Sequence, residues 1–387
     1  MQTILYVNPA GDISGGENSL LALIEGLDKE FRPLLACPCP GRLAERCRDL
    51  GVPVFPIPFA NPARSTLYSM FIVRPLQNRR LISALGKIAA DEGVGLIHAN
   101  SYLVGPASSI VAGRMRIPSI WHIRDIRLGL KLRILRQMIR RYPDKVLVVS
   151  QAVKDTFGDR LADKVQVVYN GVRPPEFTQA ERARCREELG IGAEAPLIGN
   201  VGVIVHWKGQ DIFLRAARRV LGEFPEARFL IIGSARPQSL GFDAEMRKLA
   251  AELGIQDKVT FTGFRHDALR IIASLDVYLH TARDPDPLPR VVLEAMGLGI
   301  PVVAPESGGL PEMITHGETG LLYPPGDDSS AAREIVRLLR EPGTAESIAT
   351  AAKERIASCF SVETHVCNVM KVYEELLGKR QPSCKAG

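Results

Sequence analysis

No apolar run in this chain reaches the roughly 18 residues that a membrane-crossing helix needs. The opening QTILYVNP has neither the cationic start nor the cleavage site of a secretory leader. Both absences lead to the expectation of a cytoplasmic protein. Cysteine is sparse and odd in number, at Cys37, Cys39, Cys47, Cys185, Cys359, Cys367 and Cys384, and shows neither a disulfide framework nor a paired Cys-x2-Cys zinc site. His206, His266, His280, His316 and His365 form no metal-ligand spacing either. Aromatic residues make up 6% of the chain, and no stacking aromatics interleave with the cations of its basic segment, so no nucleic-acid partner is expected. The six-position glycine fingerprint of nicotinamide-binding domains is also missing.

What remains is 46% hydrophobic and 24% charged, the balance of a globular protein. At 387 residues the chain suits two domains of roughly 170 to 200 residues each. Apolar strand-like runs alternate with helical stretches, which argues for parallel sheets built from βαβ units. Strands are expected near 3–8, 33–37, 52–57, 95–99, 118–123, 145–149 and 165–169, then near 197–201, 228–233, 258–262, 276–280, 301–304 and 320–323. The turn-rich Asn170-Gly171-Val172-Arg173-Pro174-Pro175 separates the two sets.

Three segments carry chemistry. In DPLPRVVLEAMGLGIPVVAPESGGLPE, Asp286 to Glu312, Pro287 and Pro289, with Pro285 just ahead of them, impose an irregular loop before a short buried helix. Glu294 then lies near a helix start, where a carboxylate is favoured by the dipole and can accept a pair of hydroxyl donors such as a ribose diol. Asp286, eight residues earlier, faces the same crevice and accepts hydroxyl hydrogen bonds, and Gly308-Gly309 form a turn. In the second segment, Gly202 to Asp211, Lys208 follows the strand run ending at Val201 and precedes a helical stretch. A lysine there is unfavourable beside the positive end of the dipole unless an anion offsets it. The third segment puts Gly15-Gly16 between the first strand and a helix, where glycines permit close backbone approach to a phosphate or sugar. A purely steric turn remains the alternative.

Together these segments resemble the donor-sugar signature of retaining glycosyltransferase family 4, the "glycosyl transferases group 1" type, with Asp286 where the first Glu of its E-x7-E pattern usually stands and Val203 where an Arg is common. The resemblance covers nearly the whole chain and implies the α/β GT-B fold, two Rossmann-like doubly wound parallel-sheet domains facing across a cleft. Residues 1–170 plus a crossing helix at 361–379 would form the acceptor-side domain, 171–360 the nucleotide-sugar domain, and a disordered tail would follow Lys379. It implies a nucleotide-sugar donor such as a UDP- or GDP-sugar, used as substrate with no cofactor and no metal, although Asp284-Pro285-Asp286 mimics a metal motif. The implied donor-binding residues are Gly15, Gly16, Lys208, Phe264, Arg290, Glu294, Gly308 and Gly309, with base recognition near residues 261–265. Lys208 would stabilise the departing diphosphate, Asp286 and His122 would hydrogen-bond the transferred sugar, and His98 is a weaker candidate. Transfer to a saccharide or lipid-linked acceptor in polysaccharide or glycolipid biosynthesis is the expected activity. A nucleotide-sugar 2-epimerase of the same architecture and a catalytically silent sugar-nucleotide-binding subunit are the alternatives.

Net charge is +6, and residues 124–145 hold eight cations against two acids, a local excess that equals it. Leu128, Leu132, Leu135, Ile139 and Tyr142 recur there at steps of three and four, with Arg127, Lys131, Arg136 and Arg140 beside them. Such a segment is either a peripheral element attracted to an anionic membrane surface or a core-facing helix with a basic outer side.

Overall fold

The computed structural model describes residues 1–59, 74–235 and 239–378. The chain divides into two compact units, Met1–Gly171 with Val362–Gly387, and Val172–Ser361. The expected disordered tail after Lys379 lies outside the described residues.

In the N-terminal unit, β1 (Gln2–Val7), β2 (Phe31–Cys37), β3 (Val54–Pro56), β4 (Leu96–Ala99), β5 (Ser119–Ile123), β6 (Lys145–Val148) and β7 (Val165–Val167) form a sheet in the order β3-β2-β1-β4-β5-β6-β7. Every pairing is parallel. These strands are short apolar runs because helices cover both sheet faces and leave no side for water. The Val362–Leu376 helix belongs to this unit, where Val366, Val369, Val372 and Tyr373 join Leu20, Leu23 and Leu35 in one core.

The second unit repeats the plan. Strands β8 (Leu197–Val201), β9 (Arg228–Ile232), β10 (Val259–Gly263), β11 (Val277–Leu279), β12 (Val302–Pro305) and β13 (Leu321–Tyr323) are parallel in the order β10-β9-β8-β11-β12-β13. Its core gathers Phe213, Phe229, Ile231, Val303 and Tyr323. Each sheet reverses its strand order once, at β1/β4 and at β8/β11, and doubly wound sheets bind ligands beyond the strand ends at such a point.

Two expectations change here. On the Gly129–Arg141 helix, Leu135 and Ile139 are buried, Leu132 and Tyr142 half-buried, and Arg136 donates to the Thr156 carbonyl at 3.1 Å, so most of the apolar stripe faces the core. Five cysteines are free thiols, whereas Cys367 is disulfide-bonded, a pairing that no sequence spacing announced. Among the described residues no helix is long and apolar enough to cross a membrane.

Candidate active site

At the β8/β11 reversal, the chain leaving β8 makes a short turn of helix at His206–Lys208 and enters the Gln210–Val220 helix through Gly209. Gly209 has φ +66°, and a Cβ there would sit 2.1 Å from the Thr281 carbonyl oxygen, so only glycine fits. Thr281 Oγ1 donates to the Lys208 carbonyl at 2.9 Å, and Asn200 Nδ2 donates to the Leu279 carbonyl at 2.8 Å. This backbone clamp aims Lys208 at the loop after β11, where Nζ meets Asp286 Oδ2 at 2.6 Å. The lysine side chain is only 14% exposed, which excludes an ordinary solvated lysine. Its ammonium also lies 4.4 Å from the centre of the Trp207 ring.

Asp286 has a second neighbour that sequence reasoning passed over. His280, fully buried just beyond β11, places Nε2 3.7 Å from Asp286 Oδ2. Burial opposes ionisation of Asp286, but the His280 contact and the Lys208 charge outweigh it and hold the carboxyl down at about 2. His280 is pushed below the ordinary histidine range by burial, with Asp286 pulling the other way. The only sequence signal was position, six residues before Asp286 at a strand end. The Gly-Gly turn grips the backbone of the same aspartate: Gly309 N–H donates to the Asp286 carbonyl at 2.9 Å. Gly308 has φ +60°, and a Cβ there would lie 2.2 Å from that carbonyl oxygen. The helix after the turn, Leu310–Met313, is a single turn, so the glycines shape the aspartate loop rather than open a long helix.

Glu294 lies on the Arg290–Gly297 helix, one turn in from its start, and its carboxylate pairs with Arg290 at 3.0 Å. Burial raises its pKa, and Arg290 opposes the rise. Arg290, one of the implied donor-binding residues, thus has Glu294 as an ion-pair partner. Phe264, just past β10, is 63% exposed with its ring edge-on to His266 at 4.8 Å. Asp284 is exposed, and no cluster of three or more metal-ligating side chains occurs among the described residues.

In the N-terminal unit, a cavity of about 270 Å³ beyond β1, β4 and β5 is lined by Ser14, Gly16, Glu17, Asn100, His122 and Arg124, with Pro9, Ser101, Tyr102 and Asp125 completing it. Arg124 Nη1 donates to Asn100 Oδ1 at 2.6 Å, Asn100 Nδ2 to Asn8 Oδ1 at 2.8 Å, and Asn8 Nδ2 to Glu17 Oε1 at 3.2 Å. Arg124 Nη2 also lies 3.1 Å from His122 Nδ1. A guanidinium only donates, so Nδ1 must accept and the ring proton sits on Nε2. Burial, then the Arg124 charge, holds His122 well below the ordinary range, so it is a neutral donor. Its Nε2 is buried and has no hydrogen-bond partner among the described residues.

His98 is different. Its Nδ1 is 2.6 Å from the Tyr373 hydroxyl, which donates to Tyr6 Oη at 3.0 Å, and burial pushes its pKa down to about 3. It fastens the C-terminal helix to the sheet and does not line the cavity. The Gly15-Gly16 expectation needs revision in its reason. Ser14 N–H donates to Glu17 Oε2 at 3.1 Å, so the helix start already holds an internal carboxylate. A Cβ on Gly15 meets nothing, and one on Gly16 meets only Arg124 Cδ at 3.5 Å.

Both halves match known families. Residues 13–175 fit the model described as Glycosyltransferase Family 4, and residues 181–355 that described as Glycosyl transferases group 1. Anabaena HepE, solved with UDP-glucose, superposes with a TM-score of 0.84 at 25% identity, over 97% of this chain and 100% of that one. The chain is a nucleotide-sugar-dependent glycosyltransferase of GT-B fold. An uncharacterized glycosyltransferase of Methanocaldococcus jannaschii is 27% identical over 85% of this chain and 87% of its own length. The N-acetyl-alpha-D-glucosaminyl L-malate synthase of Bacillus anthracis is 24% identical over 87% and 91%.

For a glycosyltransferase the two clusters divide the chemistry unequally. The C-terminal unit presents a buried cation, Lys208, against the Asp286 carboxylate, with a second ion pair at Arg290 and Glu294. The N-terminal cavity presents a hydrogen-bonded mixture of charged and neutral groups, Arg124 and Glu17 with Asn100 and His122.

Proposed function

We propose that this glycosyltransferase retains anomeric configuration and moves a sugar from a UDP-sugar to a saccharide or lipid-linked acceptor, in polysaccharide or glycolipid biosynthesis at the cytoplasmic face of a membrane. The observation that carries the donor side is the buried Lys208–Asp286 pair. A cation so placed stabilises the charge that develops on a departing diphosphate, which is the main electrostatic demand of glycosyl transfer. A UDP-sugar is favoured over other donors because HepE is solved with UDP and with UDP-glucose.

In this reading Asp286 accepts hydrogen bonds from hydroxyls of the transferred sugar, and Glu294 accepts from the ribose diol. Phe264 and its neighbours flank the base, and the Nε2–H of His122 donates to a sugar hydroxyl. The leaving phosphate oxygen takes the acceptor's proton, so neither a carboxylate nucleophile nor a metal enters the step. His122 does not serve as base, because its accepting nitrogen is already engaged by Arg124.

The test is a panel of nucleotide-sugars in a thermal-shift assay, since a bound ligand raises apparent stability by mass action. Turnover of the hits is then followed with and without saccharide acceptors, in the presence of excess chelator. Stabilisation by UDP-sugars, slow hydrolysis without acceptor and retained activity in chelator are the expected results. A new nucleotide-sugar formed from donor alone would make the protein an epimerase. Loss of activity on chelation, restored by magnesium or manganese, would return Asp284 and Asp286 to a metal role.

A further inference from the structure

Seven large apolar side chains are strongly exposed among the described residues, and three of them fall within one short stretch. Leu128 is 70% exposed, Leu130 69% and Ile134 52%, although Leu135 and Ile139 of the same helix are buried. Leu130, Ile134, Gln137 and Arg141 recur at steps of four, three and four, which aligns them along the side opposite the buried pair. All four are exposed, as are Lys131, Arg133 and Arg140 beside them. The Gly129–Arg141 helix carries five cations and no acid. Apart from Leu128, the face that the sequence pattern singled out is therefore the core side, and a second apolar set stands outside among the charges.

We infer that this outer face docks on an anionic lipid bilayer, with Leu128, Leu130 and Ile134 inserted at the headgroup boundary and Lys131, Arg133, Arg140 and Arg141 meeting the phosphates. Charge decides the occupant. A second copy of the chain meeting this face would oppose one all-cationic helix to another, whereas an anionic surface complements it and strengthens binding roughly fivefold for each cation near it. Exposed aliphatic side chains beside exposed cations suit the boundary between acyl chains and headgroups.

The face also adjoins the N-terminal cavity. Arg124 and Asp125 line that cavity, and Leu128 follows three residues later. Arg127 spans the gap, pairing with Asp125 at 3.0 Å and lying 5.4 Å over the ring of Tyr102, another lining residue. A molecule held in the cavity would thus lie beside the bilayer. This inference deepens the lipid-linked acceptor of the proposed function, yet vesicle binding can be measured whether or not any acceptor is known.

The experiment is flotation of the full chain with phosphatidylcholine vesicles prepared with and without phosphatidylglycerol. Wild type is expected to bind only the anionic vesicles, less tightly at high salt as screening grows. Replacing Leu128, Leu130 and Ile134 together by Ser should lower partition by roughly tenfold per side chain, because inserted aliphatic surface is lost. All three lie outside the donor machinery, so basal donor hydrolysis and circular dichroism should not change. A Leu130→Trp variant should blue-shift its emission on the anionic vesicles, a depth signal that charge attraction at the surface alone would not give. Absence of wild-type binding to anionic vesicles would overturn the proposal, as would a triple variant that binds as tightly as wild type. So would sedimentation showing that wild type self-associates through this face while the triple variant is monomeric. Vesicle binding with no turnover of any donor would instead count against the enzymatic reading alone.

Discussion

Two polar clusters stand at the two sheet reversals, and they are built differently. Around His122 the N-terminal unit joins Arg124, Asn100, Asn8 and Glu17 into a chain of hydrogen bonds in which the histidine is neutral and its proton has an assigned place. Around Asp286 the C-terminal unit relies on opposite charge, with Lys208 at 2.6 Å and His280 behind. The first arrangement presets the direction of a donor and gains nothing from rearranging. The second can exchange partners, and in the proposed function an arriving diphosphate would offer Lys208 a stronger anion than one carboxylate. Preorganised orientation and exchangeable charge are what a polyol and a leaving phosphate respectively require.

The largest test of the contrast is Lys208→Ala, which should lower transfer roughly 100- to 1000-fold in a donor-turnover assay. Because the ion pair is buried, the same change should also destabilise the unit, by about 3 kcal/mol. An exposed surface lysine would behave otherwise, since its removal would hardly alter stability. Adding Asp286→Asn should restore the urea midpoint and leave transfer lost. A single variant that keeps more than half of wild-type activity would reduce the pair to a structural contact.

Acid should test the N-terminal unit next. His98 and His122 stay neutral in the folded state, with His98 held at about 3, and regain an ordinary value near 6.5 on unfolding. Their contribution is therefore complete above about pH 6.5 and is lost as pH falls below it. At pH 5 the loss is about 2 kcal/mol for His98, and His122 adds to it in the same direction. Trp121 is buried in that unit, and the chain has two tryptophans, so a Trp207→Phe variant isolates its fluorescence. The urea midpoint read from Trp121 should drop between pH 7 and pH 5. An unchanged midpoint would show that these histidines are not buried neutral groups.

Within the charged cluster, Glu294→Gln should weaken UDP by roughly tenfold, the loss of a charge-assisted hydrogen bond. Asp286→Asn should leave UDP affinity nearly unchanged while lowering turnover of the intact donor. Calorimetric titration of UDP and donor against both variants decides it, and equal losses of UDP binding would erase the division between ribose and sugar.

The smallest expected effect is in the neutral cluster. Arg124→Met frees His122 to change tautomer and should lower kcat by about fivefold with little change in donor KM, the size of one lost hydrogen bond. Ring-nitrogen NMR of His122 should report the altered tautomer. A kcat loss with the ring proton still on Nε2 would mean that Arg124 acts by another route.

The sheets were legible because a strand covered by helices on both faces must be a short, nearly continuous apolar run, and such runs at QTILYV, SIWHI and VVAP became β1, β5 and β12. The loop around Asp286 and Glu294 was legible too, because prolines, a buried helix and two glycines sit close together in the chain. Pairings across long separations were not: Lys208 and Asp286 are 78 positions apart. No local pattern signals that one neutralises the other, or that Gly308 is glycine because the Asp286 carbonyl lies against it. The basic helix was legible only in part for a related reason. Its periodicity established that one face is apolar, but core burial of Leu135 and Ile139 and exposure of Leu130 and Ile134 depend on which side the sheet occupies.

Local periodicity and turn chemistry therefore determined the elements, their parallel alternation and the residue types gathered at each strand end, because those depend on neighbours a few positions away. Charge pairing, the tautomer of His122, the burial of Lys208 and the exposed face of the basic helix were decided only by tertiary structure. Each depends on groups brought from distant strands into a low-dielectric interior, where a single neighbour within about 4 Å changes what a side chain can do.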